Sequence, residues 1–332
     1  MNHLPKIELH LHLDCSLSFE VVSVLRPGIT LEEFERDFIA PKKCKDLAEY
    51  LTCPPQAVQL MQSKRALRLV TLDLFQQLRR DNVIYAEVRF APLLHVEGGL
   101  SPEEIVAAVD AATAEAVAET GIEAGIILCT LRHYSREQSL VTAKLVQQFR
   151  GRRVVALDLA GDEAGFPLDA HIPAFQYAID HDLPRTSHAG EACGPESVWN
   201  TLRYLHPNRI GHGVRSTEDP ALVEHLKRSH IHLEVCPTSN VQTNVTESYA
   251  THPVSELYAA GVSLGINTDA RTVSNVSLSE EYAKLQQQFG WTKEHLLNCN
   301  LQALEAAFAE EAVKGILRER LVSEYQVSEY PV

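Results

Sequence analysis

The 332-residue sequence lacks several features that would assign it to a common class of protein. Its seven cysteines contain no C-x-x-C pair and are odd in number, so we expect free thiols in a reducing compartment. No apolar run approaches the ~18 residues of a membrane-spanning helix, and the N-terminus has no apolar signal core. These absences predict a cytoplasmic protein that has no membrane partner.

Positive charge is also scarce. The chain has 30 Lys and Arg residues against 44 Asp and Glu residues, which gives a net charge of -14. Because no basic run could neutralise a phosphate backbone, we expect no nucleic-acid partner. A small-molecule substrate fits this charge balance better, and the sequence makes no prediction of oligomeric state.

The chain alternates between strand-like and helix-like runs, without an internal repeat. Eight alternations predict a parallel α/β fold, and closure of eight strands gives a (β/α)8 TIM barrel over residues 1–332 as one domain. An open doubly wound sheet usually has G-x-G-x-x-G after its first strand, and that motif is absent here. The candidate strands are Ile7–Leu13, Ile84–Phe90, Glu123–Leu131, Val154–Leu159, Arg185–His188, Arg209–His212, His230–Val235 and Val262–Asn267.

One connection is far longer than a βα unit needs, and it gives a helical insertion over residues 15–82. Helical patterns cover Leu31–Phe38, Asp46–Leu51 and Gln56–Arg80. Loops that follow barrel strands lie on the catalytic face, so we interpret the insertion as a lid over the active site. A packing insert with no gating role is the alternative.

The first strand has polar residues at alternate positions. His10 and His12 are two residues apart, so both side chains project from the same face of the strand, together with Glu8 and Asp14. Two imidazoles in this register can bind one metal ion. The alternative is a pair of hydrogen-bonded core histidines.

Other candidate residues follow later strands. His188 ends the fifth strand and is a possible ligand, and Glu191 just beyond it could act as an acid or base, or only cap a helix. His212 ends the sixth strand as a ligand, base or electrostatic partner, or as a solvated turn residue. Asp269 follows a buried apolar strand, where a carboxylate needs a cation or a hydrogen-bond cluster. Gly161 offers a backbone N–H after the fourth strand.

Four of these candidates come from three strand ends that a barrel brings to one mouth. Three nitrogen ligands and one oxygen ligand suit Zn²⁺, which would lower the pKa of a bound water to about 7. No lysine stands near the fourth strand end to bridge two metals, so we expect one zinc per chain. The predicted ligands are His10, His12, His188 and Asp269.

The motifs together resemble those of the adenosine deaminase family of the amidohydrolase superfamily. The first matching segment is Glu-Leu-His-Leu-His-Leu-Asp, and the order of the segments along the chain is that of the family. A single motif of this kind is weak, whereas six in order are specific. The matching segments are 8–14, 158–163, 188–191, 209–213, 234–240 and 267–269.

The resemblance implies zinc-dependent hydrolytic deamination of adenosine and 2′-deoxyadenosine to inosine and ammonia, through attack of zinc-bound hydroxide at C6. It implies that Glu191 protonates N1 of the purine. His212 would orient the attacking water and take part in its deprotonation. The N–H of Gly161 would meet N3, Asp14 would bind a ribose hydroxyl, and the zinc ligand His12 would also lie against the substrate.

Two positions depart from the family pattern. Cys15 stands where the family usually has glycine, and Ala270 where it often has an aspartate that contacts N7. The same chemistry on adenine, or on an N6- or 5′-substituted adenosine, is therefore an alternative. AMP is less expected, because no Lys or Arg cluster follows the predicted strands. A nucleoside-binding protein without turnover and a two-metal hydrolase are the remaining alternatives.

Overall fold

The computed structural model describes residue 1 and residues 3–325 of the chain. Eight parallel strands alternate with helices in chain order, as the sequence predicts. The strands are β1 (Lys6–His12), β2 (Val83–Phe90), β3 (Glu123–Leu131), β4 (Val154–Ala160), β5 (Thr186–Ala189), β6 (Arg209–His212), β7 (His232–Val235) and β8 (Leu264–Ile266).

The strands form two four-stranded parallel sheets, β1 to β4 and β5 to β8, which meet at two seams. At the seam between β4 and β5, Leu157 pairs with Arg185 in an isolated bridge. At the seam between β8 and β1, the N–H of His12 donates to the carbonyl of Asp269 at 2.7 Å, and the N–H of Asp269 donates to that of His10 at 3.0 Å. The eight strands therefore follow one another around a (β/α)8 barrel, although no regular ladder crosses either seam.

Helices flank the strands on the outside of the barrel or lie in the connections over its mouth. Among the described residues they are α1 (Phe19–Leu25), α2 (Leu31–Phe38), α3 (Leu47–Tyr50), α4 (Pro54–Leu60), α5 (Lys64–Arg80), α6 (Pro102–Thr120), α7 (Arg136–Gln148), α8 (Ile172–Asp180), α9 (Pro195–Leu205), α10 (Pro220–Arg228), α11 (Pro237–Gln242), α12 (Val254–Ala259), α13 (Leu278–Phe289), α14 (Lys293–Ala306) and α15 (Glu311–Tyr325). Within this part of the chain, none of the helices combines the length and the apolar character that a membrane crossing needs.

The segment between β1 and β2 is helical, but its helices differ in part from the prediction. The predicted helix over 31–38 is confirmed. The predicted helix over 56–80 is two helices, because the side chain of Ser63 accepts from the N–H of Ala66 and starts a new helix there. Helix α1 was not predicted, and Ser18 caps it in the same way.

The first strand shows why the site residues face inward. Leu9, Leu11 and Leu13 are fully buried in the apolar core, so the intervening side chains project into the barrel. His10 is fully buried there, and His12 is slightly exposed at the mouth. The alternation of apolar and polar residues thus places both imidazoles at the carboxyl end of β1.

Candidate active site

The four predicted metal ligands converge at one mouth of the barrel. Nε2 of His12 lies 3.3 Å from Nε2 of His188 and 3.4 Å from Oδ1 of Asp269. Nε2 of His10 lies 3.4 Å from the same Asp269 oxygen. One ligand atom from each of the four residues lies within 4.8 Å of the others.

This geometry fits a single tetrahedral ion. Bonds of ~2.0–2.1 Å at tetrahedral angles separate ligand atoms by roughly 3.3–3.4 Å, which matches the three distances given above. Nε2 of His10 is buried and has no hydrogen-bond partner, as expected for a nitrogen that faces a cation. Burial lowers the pKa of His12 to about 3 and also lowers that of His188, so both rings are neutral and can ligate a metal.

Buried carboxylates hold two of these rings from behind. Nδ1 of His10 lies 2.8 Å from Oε2 of Glu234, and Nδ1 of His188 lies 3.2 Å from Oδ1 of Asp158. The guanidinium of Arg89 bridges the two carboxylates, at 2.6 Å from Glu234 and 3.0 Å from Asp158. Because each Nδ1 faces an acceptor, each Nε2 is left with a lone pair toward the centre.

Two site residues have left-handed backbone conformations, with φ of 60° at His212 and 63° at Asp269. Such conformations are uncommon outside glycine and often mark functional positions. Ser239 donates to Oδ2 of Asp269 at 2.7 Å, which leaves Oδ1 toward the histidines. At Asp269, the left-handed backbone therefore has a conformational cost, but it accompanies a carboxylate that is oriented toward the histidines.

Glu191 lies beside the ligand cluster, with its Oε2 3.6 Å from Nε2 of His212. Burial raises the pKa of the Glu191 carboxyl well above its ordinary range, and the charges of Asp269 and Glu163 raise it further. A buried carboxyl with a raised pKa holds its proton to higher pH than an exposed one, which suits it to donate a proton.

The loop that carries Glu191 depends on a glycine. Gly190 has φ of +67°, and a Cβ atom there would lie 2.5 Å from Cγ2 of Val198. Any larger residue would therefore be strained by its backbone and by the neighbouring helix α9. This constraint explains the Ala-Gly-Glu sequence that follows His188.

A cavity of about 650 Å³ opens onto this cluster, within the usual range for small-molecule sites. Asp14 and Gly161 line it on the barrel side, together with Glu191 and His212. Among the described residues, no lysine or arginine lines this cavity. The insertion contributes Leu47, Ala48, Tyr50, Leu51, Pro54, Pro55, Val58 and Gln59 to its wall.

The two positions that depart from the family pattern lie on one apolar part of this wall. Ala270 is buried in a cluster with Leu47, Tyr50 and Val273, and Cys15 packs against it. The Tyr50 hydroxyl lies 2.7 Å from Oγ of Ser274 and so already has a partner. The wall beside Asp269 is therefore apolar.

Sequence reasoning missed the residues that hold the site from behind. Four of them lie within the matching segments 158–163 and 234–240, but no sequence pattern predicted which residues they contact. They are Asp158, Glu234, Ser239 and Asn240. Glu163 ends one of these motifs and contacts the loop that carries Glu191. The signal that could have identified them is their position inside segments that also contain, or lie next to, candidate catalytic residues.

Fold and site together define an α/β barrel in which residues that could hold a metal ion lie at the carboxyl ends of the strands. The sequence matches the Adenosine deaminase family over residues 5–324. It is 36% identical to an adenosine deaminase from Clostridium acetobutylicum, over 96% of this chain and 97% of that protein. The chain belongs to the adenosine deaminase family, and it is a hydrolase of C–N bonds.

Solved structures that share the fold include an adenine deaminase, a protein in complex with IMP and an amidohydrolase with bound Zn. An adenine deaminase from Arthrobacter aurescens superposes with a TM-score of 0.90 at 25% identity, over 98% of this chain and all of that one. Arabidopsis ADAL in complex with IMP superposes with a TM-score of 0.85 at 28% identity, over 98% of each chain. A Burkholderia ambifaria amidohydrolase with bound Zn gives 0.89 at 22% identity, over 98% of this chain and 91% of that one.

Proposed function

We propose that the protein deaminates adenosine and 2′-deoxyadenosine to inosine and ammonia. The observation that carries this proposal is the position of Glu191, a buried carboxyl whose pKa is raised by burial, next to four candidate metal ligands inside one cavity. A proton donor and a metal site on one cavity suit hydrolysis at an electrophilic ring carbon.

His10, His12, His188 and Asp269 would hold one Zn²⁺ per chain. A zinc ion there supplies a water of lowered pKa as the nucleophile. Asp158 and Glu234 would keep two of the rings oriented toward it.

The other residues act on the substrate. Glu191 donates its proton to N1 of the purine, which makes C6 more electrophilic. His212 lies beside Glu191 and orients the attacking water. The N–H of Gly161 binds N3, and Asp14 binds a ribose hydroxyl next to His12, which also contacts the substrate.

The charges of the cavity favour a nucleoside over a nucleotide. A phosphate needs cationic or backbone donors, and no lysine or arginine lines the cavity among the described residues. Asp14 is buried at 5% exposure in the same cavity, and its carboxylate would repel a phosphate but accept from a hydroxyl. These features favour adenosine over AMP. The second candidate substrate is adenine or an adenosine substituted at N6 or 5′, and the observation that favours it is the apolar wall at Ala270.

Residues 15–82 would form the lid, within one catalytic domain over residues 1–332. Segment 40–50 supports this proposal, because three of its residues line the cavity and its backbone makes hydrogen bonds to the connections after β7 and β8. Cys44 N–H donates to the carbonyl of Gln242 at 2.8 Å, and Ala40 N–H to that of Val273 at 2.9 Å. Leu47, Ala48 and Tyr50 of this segment line the cavity that also contains Glu191.

The proposed function is tested by ultraviolet spectroscopy of the zinc-loaded protein with adenosine, with ammonia measured in parallel. We expect conversion of the 6-amino to the 6-oxo purine with one ammonia per turnover. Glu191→Gln should keep its zinc and lower kcat by on the order of 10²–10⁴-fold, because the proton donor is lost.

The control is Glu196→Gln, which changes an exposed acid on α9 and should leave kcat unchanged. Adenine, N6-methyladenosine and AMP complete the panel. Faster turnover of either of the first two would move the substrate to the second candidate. Zinc-loaded protein that releases no ammonia from any of the four would contradict the deaminase proposal.

A further inference from the structure

A chain of three hydrogen bonds runs from the backbone to the imidazole of His212. The N–H of Val254 lies 3.1 Å from Nδ1 of His252. Nε2 of His252 lies 3.2 Å from Oδ1 of Asn240, and Nδ2 of Asn240 lies 3.1 Å from Nδ1 of His212. All three side chains are at most 3% exposed.

The direction of this chain is fixed at its backbone end. A backbone N–H can only donate, so Nδ1 of His252 must accept. Burial lowers the pKa of His252 to about 3, so the ring is neutral and carries one proton. That proton is therefore on Nε2, which faces Asn240.

The amide of Asn240 is oriented by this proton. Its oxygen accepts from Nε2 of His252, and its NH₂ group donates to Nδ1 of His212. The flipped amide would place two donors face to face at His252, in a buried position where an unpaired polar group costs about 1–3 kcal/mol. Nδ1 of His212 is thus an acceptor.

The remaining nitrogen of His212 faces the reaction centre, 3.6 Å from Oε2 of Glu191. Nδ1 of His212 accepts from the amide of Asn240 and therefore carries no proton. With Nδ1 as an acceptor, the single proton lies on Nε2.

We propose that Asn240 and His252 are positioning residues that fix His212 as the Nε2–H tautomer, so that His212 is a hydrogen-bond donor to the attacking oxygen. This inference rests on the proposed function and deepens it. A ring that already has its proton on Nε2 cannot accept another there while it remains neutral. Nε2 of His212 is therefore not the base that removes a proton from the water, and another group must do so.

The direct test is ¹⁵N NMR of the zinc-loaded protein labelled at histidine, with the His212 signals assigned by their loss in His212→Gln. We expect the nitrogen shifts of the neutral Nε2–H tautomer at His212. In Asn240→Asp the carboxylate can only accept, so His212 should change to the Nδ1–H tautomer or to imidazolium. We expect kcat to fall about 10²-fold or more with KM within about threefold, since a wrong tautomer costs a serine protease about 10⁴-fold.

A second pair of variants keeps the test independent of how Asn240→Asp folds. His252→Gln retains a donor toward Asn240 and should preserve both the His212 tautomer and kcat to within about fivefold. His252→Leu removes that donor and should lose the single tautomer. Asn298→Asp, an exposed change on α14, is the control.

The proposal is overturned if wild-type His212 shows the Nδ1–H tautomer, or if Asn240→Asp changes neither the nitrogen shifts nor kcat. Equal effects of His252→Gln and His252→Leu would also contradict it, because a purely structural role does not distinguish a donor from an apolar residue. The NMR measurement needs no turnover. Its failure is therefore separate from a failure of the proposed deamination, which the ammonia assay decides.

Discussion

At the level of single residues, the carboxylate of Glu163 has more partners than any pattern of the sequence indicated. It accepts from the backbone N–H groups of Gly190 at 2.8 Å, Glu191 at 3.0 Å and Cys193 at 2.9 Å, and from the hydroxyl of Ser197. Charge-assisted bonds of this kind are about twice as strong as neutral ones. One side chain thus holds the backbone of the loop that carries the proposed proton donor.

Glu163→Gln should therefore lower kcat by about 10–100-fold while KM and zinc content change little. The reason is that the amide retains one acceptor but turns a donor toward the loop N–H groups. The measurement is a double-mutant cycle with Glu191→Gln. In the Glu191→Gln background, Glu163→Gln should lower kcat by less than about twofold. The reason is that this background has no proton donor left for Glu163 to position.

The exposed change Glu196→Gln again serves as the control. Full additivity of the Glu163 and Glu191 substitutions would show that Glu163 does not act through Glu191. A drop in the unfolding midpoint that accompanies the loss of kcat would indicate a folding defect instead.

Residue types alone predicted the residues that converge on the site, but not those that hold them. His10 and Asp269 stand out because an imidazole or carboxylate at the end of an apolar strand needs a partner. Asn240 and His252 show no such signal, since their contact depends on how the loop after β7 folds back on itself. Ala270 and Cys15 could be identified only as departures from a family pattern.

At the level of elements, the insertion after β1 reaches the segment that follows β7, two strands away around the barrel mouth. Nζ of Lys43 donates to the carbonyls of Thr246 and Glu247, both at 2.8 Å. Nδ2 of Asn244 donates to the carbonyl of Lys45 at 3.1 Å. Lys43 is exposed, so these contacts can break and reform at little cost to the core. The length of the insertion was predictable from the sequence. Its hydrogen bonds to residues 244–247 were not, because they depend on the tertiary structure.

If segment 40–50 closes over substrate, Lys43→Met should raise KM by about threefold to tenfold, the equivalent of about 1 kcal/mol in lost closure. Stability should change by less than ~0.5 kcal/mol because the side chain is exposed. Steady-state kinetics and chemical denaturation measure the two effects. Lys42→Met, at the exposed neighbouring position, is the matched control. A KM equal to that of the control would favour the packing-insert interpretation.

At the scale of the whole molecule, side chains close the seam at which β1 meets β8. Oδ1 of Asn267 accepts from the N–H groups of Leu9 at 2.8 Å and His10 at 3.0 Å. Oδ1 of Asn300, from helix α14, accepts from the N–H of Ile7 at 2.7 Å. Eight alternating strands and helices were enough to predict the barrel, but not this closure, because it depends on amides that lie 257 or more residues along the chain from the N–H groups that they accept from.

This seam predicts where the barrel is sensitive to a single substitution. Besides accepting from Ile7, Asn300 donates to the buried hydroxyls of Tyr282 at 2.8 Å and Tyr325 at 3.0 Å. Asn300→Leu should lower the free energy of unfolding by about 2–4 kcal/mol, because it leaves the N–H of Ile7 and both hydroxyls without this partner. Denaturant unfolding measures the change. Asn298→Leu, two residues earlier but exposed, should stay within about 0.5 kcal/mol of wild type. Equal stability of the two variants would mean that the Asn300 amide does not stabilise the seam.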